Sequence, residues 1–262
     1  MVRLGAVSYL NVRPLVYRLD ANPLFSLRYD VPSVCAALLD EGAIDLGMIP
    51  SIEALRGGYR LVPELGIISD GAVASVAVFT KVPLARVRRL GLDTSSRTSA
   101  GLTRILCREA WRIEPEFVSL PPDAAAHLEG CDAALLIGDP ALFLDHEAAG
   151  FQKVDLGSEW TSLTGLPFVW AAWAGRAGAV DAREIAALQR ARDAGVEHID
   201  EIADEYCGPA RAALGRRYLR ENMRYRLGSR EAEGLQRYWD LAAKHRVVDH
   251  SDAIAFFRSG QA

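Results

Sequence analysis

Hydroxyl side chains and one arginine crowd the stretch Asp93-Thr-Ser-Ser-Arg-Thr-Ser-Ala-Gly101, directly ahead of a segment with helical periodicity. At a helix start the unpaired backbone N–H groups, the positive end of the dipole and Arg97 all favour negative charge, so this loop suits a carboxylate or a phosphate. An N-cap needs only one hydroxyl. Ser96, Thr98 and Ser99 exceed that need, and with Arg97 they are the expected anion ligands. Three other loops offer polar groups where an apolar run gives way to a helical one. In Ser8-Tyr9-Leu10-Asn11, Ser8 and Asn11 are open to capping or to ligand contact. Ile49-Pro-Ser-Ile-Glu53 carries Ser51, and Ile137-Gly-Asp-Pro140 carries Asp139; each also reads as a simple cap. Ser75 is a lone hydroxyl in the apolar run Ala72-Val-Ala-Ser-Val-Ala-Val-Phe79 and is expected to face a cleft.

Several chemistries lack their usual signals. No G-x-S-x-G elbow, P-loop or G-x-G-x-x-G fingerprint occurs, which argues against an elbow serine hydrolase, phosphoryl transfer and hydride transfer. Four cysteines, Cys35, Cys107, Cys131 and Cys207, are too far apart for a local CxxC, and five scattered histidines give no HExxH spacing. We expect reduced thiols, no metal and no cofactor. The 262 residues carry a formal net charge of -4, which disfavours a general nucleic-acid binder. Arg216, Arg217, Arg220, Arg224 and Arg226 form no exception, because Glu221, Glu231 and Glu233 are interspersed and the helices read as solvated faces. No run approaches the ~18 to 20 apolar residues of a membrane span, and Met1–Leu10 has no charged leader, so a cytoplasmic chain is the expectation.

Positioning these loops requires strands that end at them. Runs rich in Val, Ile and Leu predict strands near 3–7, 26–31 and 44–49, with helices near 12–19, 33–41 and 51–57. A second set follows, with strands near 88–93, 116–119 and 132–137 and helices near 98–112, 123–129 and 140–149. Asp45-Leu-Gly-Met-Ile-Pro-Ser-Ile-Glu-Ala-Leu55 and Asp132-Ala-Ala-Leu-Leu-Ile-Gly-Asp-Pro-Ala-Leu142 repeat Asp, apolar strand, turn and Ala-Leu at one spacing. The runs 72–79 and 167–173 are long enough to cross between two such units. Trp160, Phe168, Trp170 and Trp173 are expected in core and hinge packing, with a place in the cleft lining open to one of them. The tail, roughly 181–206, 208–224 and 229–247, is helical and expected to pack on the first unit. The fold class is therefore α/β and two-lobed, with two βα sheets, two crossing strands and a ligand cleft between lobes. Residues 1–80 plus 174–262 are the expected discontinuous first lobe, and 81–173 the inserted second.

Several of these loops, taken together, resemble one enzyme family. They are Gly5-Ala-Val-Ser-Tyr-Leu-Asn11 with Pro14-Leu15, Ile44-Asp-Leu-Gly47, Asp70-Gly71 with Ser75-Val76, Ser96-Arg-Thr-Ser99, Leu136-Ile-Gly-Asp139 and Thr164-Gly-Leu-Pro-Phe-Val169. As a set they are similar to the chorismate dehydratases of the futalosine route to menaquinone, which have the type II periplasmic-binding-protein fold. The resemblance implies a carbon–oxygen lyase acting on chorismate, a small dicarboxylate, without cofactor. It matches Asn11 and Ser75 to positions tied to catalysis, and Ser96, Arg97, Thr98 and Ser99 to a carboxylate-clamping loop. Ser8, Tyr9, Ser51 and Asp139 are further candidate substrate contacts. Whether Arg97 points into the cleft or braces the loop stays open, as does the proton acceptor, a substrate carboxylate or another group. Two alternatives share the fold: a non-catalytic binder of a small carboxylate, and the 1,4-dihydroxy-6-naphthoate synthase of the same pathway. The Ser-Tyr-Leu-Asn opening argues against the synthase.

Overall fold

The computed structural model describes residues 1–93, 95–120 and 130–258. Strands β1 (Val2–Val7), β2 (Phe25–Asp30), β3 (Leu46–Pro50), β4 (Arg60–Leu61) and β5 (Ile67–Ser69) come first in the chain. Next are β6 (Val76–Thr80), β7 (Arg89–Asp93), β8 (Glu116–Leu120), β9 (Ala133–Ile137), β10 (Gln152–Asp155) and β11 (Phe168–Gly175). Helices are α1 (Pro32–Asp40), α2 (Ser51–Arg56), α3 (Arg97–Leu106), α4 (Gly138–Phe143) and α5 (Leu156–Thr164), then α6 (Ala182–Glu197), α7 (Ile199–Cys207), α8 (Ala212–Arg217) and α9 (Ser229–Lys244). One sheet runs β2-β1-β3-β11-β4, with β5 also on β11; the other runs β10-β6-β9-β7-β8. In each sheet three strands are parallel, and the strands that enter from the other half of the chain lie antiparallel to them. β3 and β9 are buried along their whole length, as central strands covered on both faces must be.

The internal repeat has a physical meaning. Asp45, just before β3, accepts the backbone N–H of Arg3 at 2.8 Å together with its guanidinium. Asp132, just before β9, accepts the backbone N–H groups of Arg88 and Arg89 at 2.8 and 2.9 Å. In both sheets an aspartate thus fixes the start of the first parallel strand against the third. Both carboxyls are held below their ordinary pKa, Asp45 chiefly by the Arg3 side chain and Asp132 by the two backbone N–H groups.

Several expectations need correction. The segment 12–19 is not an α-helix: Leu10–Val16 is a 3₁₀ turn containing Pro14, which cannot donate to a helical ladder. The helix expected over 98–112 widens to π geometry at Cys107–Trp111 and stops at Arg112, whose φ of 54° is left-handed. The helix expected over 140–149 ends at Phe143, beyond which Asp145 accepts from Ala148 N in a turn. The expected helix 123–129 lies outside the described residues.

The crossing elements also differ. β6 pairs with β9 and β10 in the second sheet, and β11 pairs with β3, β4 and β5 in the first. The boundaries 1–80, 174–262 and 81–173 therefore misassign one strand at each junction. An apolar run states that it is buried, but not beside which neighbour. The chain crosses outward through the irregular segment 70–75 and returns through α5 and 165–167. At the return, Trp160 of α5 packs edge-on against Phe168 of β11 and Tyr238 of α9, at centroid distances of 5.1 and 6.2 Å. Trp160, Phe168, Trp170 and Trp173 are all buried. The tail packs on the first sheet, where Trp239 donates to Ser51 O at 3.2 Å, but α9 also reaches the second half: Tyr238 donates to Thr98 O at 2.9 Å. Among the described residues no helix is long and apolar enough to cross a membrane.

Candidate functional site

The carboxyl ends of β1, β3, β7 and β9 converge on one cavity between the two sheets. This is where open α/β sheets hold ligands, because strand ends turn there into helix starts with unpaired N–H groups. Val7, Val73, Val76, Ile67, Ile137 and Trp170 supply apolar walls; Tyr9, Asn11, Ser96 and Ser99 supply the polar side chains. No charged side chain is among the described residues lining it, so an anion there must be met by neutral donors and the α3 N-terminus.

Ser96 is the N-cap of α3: its Oγ accepts from Ser99 N at 3.3 Å and donates to Ser99 Oγ at 2.8 Å. Burial and the nearby Asp93 push the Tyr9 phenol up to about 12, so it is un-ionised at neutral pH and able to donate. Trp170 forms a wall of the cavity, with its indole N–H given to Ser69 Oγ at 3.1 Å. Asn11 borders the cavity, and its Oδ1 is buried without a hydrogen-bond partner among the described residues. Such an oxygen costs about 1–3 kcal/mol unless a ligand supplies a donor.

Ser75 does not face the cavity as expected: it sits behind this wall between Val73 and Val76, and only 1% of it is exposed. Its local backbone is strained. Ser75 N donates to Val73 O at 2.7 Å, closing a three-residue turn around Ala74, whose φ is 61°. A left-handed alanine costs on the order of 1–3 kcal/mol and persists only when its surroundings impose it. Here Asp155 accepts from Val73 N at 3.0 Å and Ala74 N at 2.7 Å, while Lys153 donates to Ala74 O at 2.6 Å. Burial lowers the pKa of Lys153. The turn aims the Ser75 hydroxyl at the buried Tyr218 phenol, 2.7 Å away.

The remaining expected residues lie away from the cavity. Arg97 braces the loop: its Nη1 meets Glu53 Oε2 at 2.6 Å, and Glu53 also holds Arg56 at 2.7 Å. The Thr98 hydroxyl accepts from Ile52 N at 3.1 Å and lies 3.4 Å from Ser51 Oγ, so Thr98 and Ser51 join α3 to α2. Ser8 contributes its carbonyl, which accepts from Tyr206 at 2.8 Å. Asp139 accepts from Leu10 N at 3.2 Å and contacts the Tyr206 hydroxyl, pinning α4 to the first strand-end loop and to α7. Four positions that a helix start made equivalent in sequence thus divide by direction: on α3, Ser96 and Ser99 face the cavity, while Arg97 and Thr98 face α2.

Sequence reasoning missed Tyr218 and Gly138; of the four aromatic residues expected in core and hinge packing, Trp170 also lines the cavity. Gly138 had a readable signal, a glycine directly after an apolar strand. Its φ is 63°, and a Cβ there would stand 2.7 Å from the Tyr9 ring.

The sequence matches the family described as "Menaquinone biosynthesis" over residues 2–244. A chorismate dehydratase of Thermus thermophilus is 30% identical over 219 residues, covering 77% of this chain and 80% of that protein. Among solved structures, protein AF1704 of Archaeoglobus fulgidus superposes with a TM-score of 0.78 at 16% identity, covering 94% of this chain and 98% of its own. The periplasmic aliphatic sulphonate binding protein SsuA of Escherichia coli gives a TM-score of 0.65 at 18% identity, covering 100% and 93%. At such identities the structural likeness establishes the fold, that of periplasmic binding proteins.

Proposed function

The chain belongs to the menaquinone-biosynthesis family, and on that premise we propose that it is a chorismate dehydratase, a carbon–oxygen lyase that eliminates water from chorismate to give 3-[(1-carboxyvinyl)oxy]benzoate. The observation that carries the reading is the partnerless Asn11 Oδ1 at the wall of an apolar cavity between the sheets. An oxygen so disposed suits a ligand hydroxyl.

In the reaction a base takes the proton from the ether-bearing ring carbon, and the C–H electron pair becomes a ring double bond. The neighbouring C–OH bond breaks with its own pair, and the departing hydroxide takes up the proton that the base removed and leaves as water. The ring becomes aromatic, which supplies much of the driving force. The protein therefore needs to hold and orient the substrate and to stabilise the departing oxygen. Asn11 orients the ring and its hydroxyl from the cavity wall, and Ser75 acts on the same hydroxyl from behind Val73 and Val76. Ser96, Ser99 and the α3 N-terminus meet a substrate carboxylate through neutral donors, and Tyr9 donates a further hydrogen bond.

The proton acceptor is a substrate carboxylate. Supporting this, the described cavity wall offers no histidine, lysine or acid. The two nearby aspartates are engaged elsewhere: Asp93 accepts from Ser95 N and Oγ at 2.7 and 2.5 Å, and Asp139 is engaged by Leu10 and Tyr206. Incubation with chorismate, followed by ultraviolet absorbance and proton NMR, tests the proposal. Appearance of the 3-substituted benzoate with loss of the ring sp³ protons is expected. Chorismate left unchanged while the folded protein binds it would identify a binding protein instead.

A further inference from the structure

Tyr218 comes to the site from the far end of the chain. It opens the π-helical turn Tyr218–Asn222 that continues α8, and only 2% of it is exposed. Its hydroxyl is 2.7 Å from Ser75 Oγ, and Asn11 is the other polar side chain near enough to offset part of the rise in the phenol's pKa. Burial raises the phenol pKa well beyond its ordinary value, so Tyr218 keeps its proton. A phenol with two polar side chains against it accepts from one and donates to the other. Asn11 can donate only through Nδ2, and its Oδ1 is the end without a partner.

We propose that Tyr218 is a positioning residue, whose hydroxyl accepts from the Asn11 amide and donates to Ser75 Oγ, thereby presenting Asn11 Oδ1 and the Ser75 O–H to the substrate. The inference rests on the chorismate dehydratase reading. It gives the two groups complementary tasks at one substrate hydroxyl. Asn11 Oδ1 accepts its proton, and the Ser75 O–H donates to its oxygen, where negative charge develops as the C–O bond breaks. Without the phenol, the amide loses the contact that orients it and the serine hydroxyl is free to turn away. The strained turn at Ala74 serves the same end, since it delivers Ser75 to the phenol.

Tyr218→Phe removes one oxygen and keeps the ring. With the full-length protein and chorismate, kcat is expected to fall by about tenfold to a hundredfold, the scale of a misdirected catalytic group. KM, and the calorimetric Kd for the product, stay within about twofold, because the groups that meet the carboxylate are untouched. Tyr225→Phe is the control: that hydroxyl is equally buried and partnerless, so its removal leaves kcat unchanged. Turnover of Tyr218→Phe within about twofold of the parent overturns the inference, as does an equal loss of kcat in Tyr225→Phe. A melting temperature lowered by more than about 5 °C marks the hydroxyl as structural and overturns it also. A parent protein that leaves chorismate intact overturns the underlying reading together with the inference. An active parent with an equally active Tyr218→Phe overturns the inference alone.

Discussion

Asn11 carries a cost that the folded chain by itself does not offset, a buried oxygen with nothing to accept from. Removing it should therefore separate stability from activity. Asn11→Ala is expected to melt within about 3 °C of the parent, roughly 1 kcal/mol for a chain of this size, while kcat/KM for chorismate falls by about 10²–10³-fold. Equal kcat/KM in parent and variant would remove Asn11 from the reaction. Ser75 was legible as the one hydroxyl in an apolar run. Tyr218 was not, because a tyrosine in an arginine-rich helical segment looks like any half-buried aromatic until a partner 143 residues away is brought to it.

At the scale of elements, α3 is the part of the site whose presence the sequence announced most clearly and whose ligands it announced least. Hydroxyls at a helix start signal a capped, anion-friendly N-terminus. Which of them faces the ligand depends on rotation about the helix axis, set by what packs beside it. Glu53 and Ile52 of α2 take Arg97 and Thr98, leaving Ser96 and Ser99 to the cavity. Steady-state kinetics should therefore divide the motif. Ser99→Ala is expected to raise KM for chorismate several-fold. Arg97→Ala should leave KM nearly unchanged and cost at most about 1 kcal/mol of stability, since Arg97 is half exposed in its ion pair. A large KM rise in Arg97→Ala would mean that the arginine reaches the substrate.

At the scale of the whole molecule, Asp139 pins the second sheet's α4 to the first half of the chain. Tyr206 has one hydroxyl proton and two acceptors against it, Ser8 O and Asp139. A proton on Asp139 satisfies all three groups, in keeping with a carboxyl whose pKa is raised, chiefly by burial. A folded-state pKa above the unfolded value stabilises below the unfolded value, and that contribution is lost as pH rises through the folded one. Asp139→Asn mimics the protonated acid, so its melting temperature relative to the parent should improve from pH 4 to pH 7. Asp139→Ala, which strips Leu10 N of its acceptor, should cost about 1–3 kcal/mol. A flat difference between Asn and Asp across that range would refute the assignment. The sequence by itself determined what local pattern and composition can encode: the βα order, the duplicated Asp-strand-turn unit, the anion-friendly start of α3 and the motif set of the family. Only the tertiary structure decided which sheet β6 and β11 join, which way Arg97 and Thr98 face, that Asp139 ties α4 to Leu10 and Tyr206, and that Tyr218 stands behind Ser75. Those outcomes depend on neighbours far away along the chain, and hydrophobic periodicity reports that a residue is buried without reporting against what.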